Sequence, residues 1–199
     1  MQKAQLGRPR AFDAEAALEK AMVVFWGQGY EGASLADLTE AMGISRKSMY
    51  AAFGNKEQLF RKVLQRYTEG PGAYVVQALR APTAREVAAV FLAGSVRANT
   101  RPGCPTGCLG VQGALAVGET GQVARDILTE WRAQGQVHLR DRFQRAVAEG
   151  DLPADADPAQ IARFVMTIAN GIAVQAAGGA ACEDLQRVAD AALRNWPPA

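Results

Sequence analysis

The 199 residues include 22 Lys/Arg, 20 Asp/Glu and one His, for a net charge of +2, with 49% hydrophobic and 21% charged positions. That balance excludes a disordered or collagen-like chain and fits a globule with a buried core. No apolar run reaches the roughly 18 residues that cross a bilayer, residues 1 to 12 lack a signal-peptide stretch, and three cysteines are too few for a disulfide framework; a reducing cytoplasmic setting with no membrane contact is expected.

Charge is mildly uneven, with ten Lys/Arg against seven Asp/Glu in residues 1–68 and twelve against thirteen in the remainder. The pattern of apolar residues is helical nearly throughout, so the fold class is all-α. Asp13 is placed to cap a first helix whose Leu18, Ala21, Met22, Phe25 and Trp26 share one face, and Gly27 and Gly29 end it. Ser34 followed by Asp37 opens a short helix with Leu35, Leu38 and Met42 on one stripe and Gly43 as its stop. Ser45 caps the next, which points Met49 and Phe53 inward, and Asn55 with Gln58 caps a fourth that repeats apolar residues at Leu59, Phe60, Val63, Leu64 and Tyr67.

Gly70-Pro71-Gly72 closes this unit, and a domain boundary is expected there, with residues 1–68 in a small first domain and 69–199 in a larger second one. Further helices are predicted over 73–80, 84–98, 108–118, 120–149, 158–177 and 183–195, with a loop over 101–107. In the helix at 158–177, Ile161, Phe164, Val165, Ile168 and Ile172 form an apolar stripe, while Ala162, Ala169, Ala173 and Ala176 form a small-residue face suited to close helix approach. Two such faces call for two partners, and pairing of the helices at 120–149 and 158–177 with their symmetry mates in a homodimer is expected.

Two short helices joined at Gly43-Ile44 and packed on a longer one make a helix-turn-helix arrangement, a weak signal by spacing alone. At about 100° per residue, with Met49 turned to the core, Lys47 and Ala51 lie opposite it, flanked by Ser48 and Tyr50. Lys47 and Ser48 can donate to bases or phosphates, Ala51 can touch a thymine methyl, and Tyr50 and Arg46 can reach phosphates. Lys56 opens the fourth helix, where free backbone N–H groups and the helix dipole also favour a phosphate.

The stretch GYEGASLADLTEAMGISRKSMYAAFGNKEQL from Gly29 to Leu59, with Gly7-Arg8-Pro9-Arg10 before it, resembles the TetR/AcrR family of transcriptional regulators. Gly107-Cys108-Leu109 and Gly171-Ile172-Ala173-Val174-Gln175 are more loosely similar to the sensor domain of that family. The resemblance implies a repressor that binds a pseudo-palindromic operator in double-stranded DNA as a homodimer and is released by a small-molecule effector. Ser34 and Ser45, at the openings of the two short helices, complete the implied DNA-facing set. Arg8 and Arg10 form an arm able to enter a minor groove.

For the effector, Phe91, Trp131, Met166, Asn170 and His138 are candidate cavity residues, joined by Cys108. Cys104 and Cys108, four residues apart, admit a structural, a thiol-sensing or a thiol-disulfide exchange role. One histidine makes a dedicated metal site improbable on composition, and with no phosphate loop or catalytic triad pattern neither an enzyme nor a cofactor is expected.

Overall fold

The computed structural model of the chain describes residues 12–115, 121–194 and 196–197, and among them every regular element is helical. Four helices come first, α1 (Ala14–Gly32), α2 (Leu35–Met42), α3 (Arg46–Phe53) and α4 (Lys56–Glu69). A 3₁₀ turn at Pro71–Ala73 leads to α5 (Tyr74–Leu79), α6 (Ala84–Asn99), α7 (Leu109–Leu115), α8 (Gln122–Ala148), α9 (Pro158–Ala177) and α10 (Cys182–Arg194). Residues 116–118 of the helix predicted over 108–118 lie outside the described residues.

The caps read from the sequence are in place. Asp13 accepts from the amides of Glu15 and Ala16, and Ser34 with Asp37 and Asn55 with Gln58 form reciprocal capping boxes. Ser45 accepts from the Ser48 amide, and Gly43 ends α2 at φ 69°, a left-handed conformation that penalises any side chain. Helix α1 continues through Gly27 and breaks only at Gly29, whose φ of 71° lets the chain turn. Thr83 and Glu86 make a further capping box at the start of α6, away from α1–α4. Thr83→Ala is expected to lower the unfolding free energy by about 1 kcal/mol, read by urea denaturation.

Two groups of buried side chains hold the helices. The first joins Phe25, Trp26, Leu38, Met49, Leu59, Phe60 and Tyr67 of α1–α4 to Cys108, Leu109, Ile127 and Leu128 from α7, its approach and α8. The second packs Phe91, Leu92 and Val96 of α6 against Leu139 and Phe143 of α8 and Ile161, Val165 and Ile172 of α9. The sequence boundary near Gly70 therefore does not divide the core, because the apolar floor of α1 and α4 is supplied by α7 and α8.

The reading of α9 as a helix with a buried stripe and a separate small face is corrected. Ala162, Ala169, Ala173 and Ala176 are buried in the protomer along with Ile161, Val165 and Ile172. Helix α9 is wedged between α6 and α8, and the alanines are what allow those helices to approach it. Its outward side is a different strip, Arg163, Thr167, Gly171 and Val174, all exposed, with Phe164 and Ile168 half-buried beside it.

Candidate functional site

Helix α3 is anchored by Met49 and Phe53, both buried, so that its opposite side faces solvent. Lys47 and Ala51 are exposed on that side with Tyr50 at its rim, Arg46 is exposed nearer the core-facing edge, Ser48 is half-buried, and Tyr50 is 48% exposed, high for an aromatic ring. Ser34 and Ser45 are occupied as caps, the Ser45 hydroxyl also sharing a hydrogen bond with Ser48 at 3.0 Å. Arg8 and Arg10 lie outside the described residues.

Lys56 is the first residue of α4, and its ammonium sits 4.6 Å from the centre of the Tyr30 ring. Tyr30 is itself fixed, edge-on to Phe60 at 5.0 Å and stacked on Phe25 at 6.0 Å. Burial lowers the Lys56 pKa, opposed by the nearby Glu31 charge, and raises that of Tyr30. A partly desolvated cation held on an aromatic face at a helix N-terminus is preorganised for an anion. The sequence singled out Lys56 but not Tyr30, whose signal was only a tyrosine following a glycine.

A cavity of about 270 Å³ lies behind this surface, between α4, α5, α6, α8 and α9. Phe91, Trp131, His138 and Met166, candidate cavity residues in the sequence, are among the residues that border it. Tyr67, Tyr74, Val75, Leu79, Arg132 and Gly135 border it too and were not foreseen. Cys108 and Asn170 are not among its lining residues: Cys108 is buried behind Tyr67, whose hydroxyl donates to its Sγ at 3.4 Å, and Asn170 is half-buried farther along α9 than Met166. Two glycines set the walls. A Cβ on Gly110 would come within 2.3 Å of the Trp131 ring, and one on Gly94 within 2.6 Å of Tyr74, so both rings lie directly on helix backbone.

The walls also reach α1 and α4. Trp131 of α8 donates through Nε1 to the Thr68 Oγ1 of α4 at 3.0 Å, and Tyr67 packs edge-on against both Trp26 and Trp131. Trp26 of α1 donates to the Gly107 carbonyl at 2.8 Å.

Known proteins share this architecture. Residues 17–63 match the family described as bacterial regulatory proteins, tetR family, and residues 83–192 match the tetracyclin repressor-like C-terminal domain. The chain is 35% identical to the HTH-type transcriptional repressor ComR of Escherichia coli over 198 residues, 98% of this chain and 94% of that one. The chain belongs to the TetR family.

Among solved structures of TetR-family proteins, CifR with cysteine substitutions, complexed with 26-base-pair double-strand operator DNA, matches with a TM-score of 0.90 and 46% identity over 96% of this chain and 100% of that one. A TetR regulator from Rhodococcus sp. RHA1 is 44% identical, covering 94% of this chain and 100% of that one, at a TM-score of 0.63. This TetR-family chain is a DNA-binding transcription regulator.

The thiol-disulfide exchange alternative finds no support in this TetR-family chain. Cys104 is half-buried and Cys108 buried, so the pair does not present the accessible dithiol that exchange requires. Among the described residues no cluster of His, Cys, Asp and Glu could hold a metal, and no helix is long and apolar enough to cross a membrane.

Proposed function

We propose that the protein is a homodimeric repressor that reads a pseudo-palindromic operator with α3 and the start of α4, and that a small molecule entering the inner cavity releases it. The observation that carries this reading is the outward face of α3, with Lys47, Tyr50 and Ala51 exposed, Ser48 half-buried and Arg46 exposed at its edge, braced from behind by buried Met49 and Phe53 and continued by Lys56. Lys47, Ser48 and Ala51 face base edges, while Arg46, Tyr50 and Lys56 hold phosphates. The arm carrying Arg8 and Arg10 is proposed to add a minor-groove contact. The part played by the protein in the cell is regulatory rather than enzymatic, and it works in the cytoplasm where operator DNA lies.

Release follows from the shared wall. Tyr67 and Thr68 border the cavity and belong to the same helix as Lys56, about 18 Å away along its axis at 1.5 Å per residue. A ligand that displaces Trp131 or Tyr67 acts on the far end of a rigid rod whose near end touches the phosphate. Ligand and operator then bias one equilibrium, so each weakens the other by the same factor.

The phosphate role of Lys56 is tested by salt titration of operator binding. Lys56→Ala is expected to weaken binding to all sequences and reduce the log–log salt slope by about one. Tyr30→Leu should reproduce part of that loss and Tyr30→Phe should restore it, because the ring rather than the hydroxyl holds the ammonium. Lys47→Ala should instead change the preference between operator sequences. A Lys56→Ala protein with wild-type affinity and slope contradicts the assignment.

A further inference from the structure

We propose that the effector is a small apolar monoanion, a one-ring or short-chain carboxylic acid, whose carboxylate meets Arg132 and whose hydrocarbon lies against Val75, Leu79, Phe91 and Met166. The proposal rests on the reading of the cavity as the effector site and adds the chemical class of the ligand.

Size comes first. A volume of about 270 Å³ falls just below the range of about 300 to 1,000 Å³ in pockets that enclose drug-sized ligands. A single substituted ring or a short chain fits that volume. The aliphatic and aromatic lining supplies the driving force, since each buried methylene of the ligand contributes about 0.8 kcal/mol.

Charge comes second. No Asp or Glu borders the cavity among the described residues, whereas Arg132, half-buried, does. Burial lowers the pKa of Arg132, as expected of a guanidinium that has lost water, and among the described residues no carboxylate lies within ion-pair distance of it. It donates to the Gly110 carbonyl at 2.7 Å and to Thr129 Oγ1 at 3.2 Å. Those bonds fix the orientation of the group while using two of the five N–H donors of a guanidinium. A cationic ligand would meet like charge with no acid to offset it. An anion would form the charge-assisted bonds that the neutral acceptors leave unmade.

The remaining polar groups agree. Burial raises the pKa of Tyr67 and Tyr74, so both hydroxyls stay neutral. The Tyr67 hydroxyl is already directed at Cys108, Tyr74 pairs with Ser95, and the Trp131 indole is spent on Thr68. His138 and Gln134 are exposed and mark the mouth. The lining thus offers a ligand apolar surface and one half-buried, hydrogen-bonded cation.

The test uses the full chain and three probes with the same ring, para-toluate, para-toluamide and para-methylbenzylamine, titrated by calorimetry and then added to the operator complex. Para-toluate is expected to bind at least about tenfold tighter than the amide, with the amine weakest, and to release operator DNA. Arg132→Gln should erase the preference for the acid over the amide. Gly135→Leu fills the cavity from one turn farther along α8 with Arg132 in place, where a Cβ meets only the Met166 Cε at 3.9 Å, and it should abolish binding of the acid. Wild-type protein that binds the amide or amine as tightly as the acid, or fails to bind the acid at millimolar concentration, overturns the anionic class. If the neutral probe releases operator DNA and Gly135→Leu blocks it, the cavity stands as the effector site without that class. Probe binding that survives Gly135→Leu unchanged removes the cavity itself as the site.

Discussion

Trp26→Ala is expected to lower the unfolding free energy by about 3 to 5 kcal/mol, a large part of the whole for a chain of this size. The side chain is 1% exposed and lies edge-on to Tyr67 at 5.0 Å, so its removal opens a void where α1, α4 and α7 meet. It also leaves the Gly107 carbonyl without the indole donor at 2.8 Å. That carbonyl belongs to a tightly confined residue, with φ at 81° and a space in which a Cβ would meet the Ala173 carbonyl and the Ala177 methyl at 3.0 Å each. Trp26 therefore ties the DNA-facing helices to the loop that rests on α9. Trp26→Phe keeps most of the volume and loses the donor, and should cost about 1 to 3 kcal/mol. Urea denaturation of both variants separates packing from hydrogen bonding. A Trp26→Ala protein within about 1 kcal/mol of wild type would show that the two units are held together elsewhere.

The first four helices were legible because their ends carry chemistry that acts locally: Asp13, Ser34, Ser45 and Asn55 accept amides two or three residues ahead, and Gly43 takes a conformation other residues resist. The exposed face of α3 followed from the same local periodicity once Met49 was placed inside. The cavity was only half legible. Phe91, Trp131, His138 and Met166 drew attention as aromatic or isolated polar residues, but Tyr67 reads as an ordinary core position and Arg132 as a solvated charge. Only tertiary contacts reveal that Gly94 and Gly110, which look like weaknesses in helices, are the places where Tyr74 and Trp131 rest. Cys108 misled in the other direction, since a thiol in a family-like motif suggested a lining group and it is instead covered by Tyr67.

Gly171→Glu is expected to yield a folded monomer whose operator affinity is about a hundredfold to ten-thousandfold weaker, and it replaces the substitution that the alanine pattern of α9 would have recommended. Periodicity could not rank the faces of α9, because small and large apolar residues are equally suited to a core wedged between two helices. Ala173 is 1% exposed, so Ala173→Glu buries a carboxylate against α7 and α8 and should unfold the protomer, which says nothing about assembly. Gly171 lies on the outward strip with Thr167 and Val174, the latter 44% exposed, and nothing lies within 4 Å of a Cβ built there. Glutamate is also a better helix former than glycine by roughly 0.5 to 1 kcal/mol, so α9 should gain rather than lose intrinsic stability. What the substitution adds is a charge at the surface where α9 of one protomer is proposed to meet its symmetry mate, and at a two-fold axis each copy confronts its own image with the same sign. A single α3 reads too few bases to single out one operator, so separating the protomers removes the second half-site contact and with it most of the affinity. Sedimentation, circular dichroism and operator titration on the same sample make the result decisive. Helical content at the wild-type level with half the wild-type mass and weak operator binding is the expected outcome, whereas a Gly171→Glu protein that stays dimeric and binds operator at full strength moves the two-fold contact away from this strip of α9.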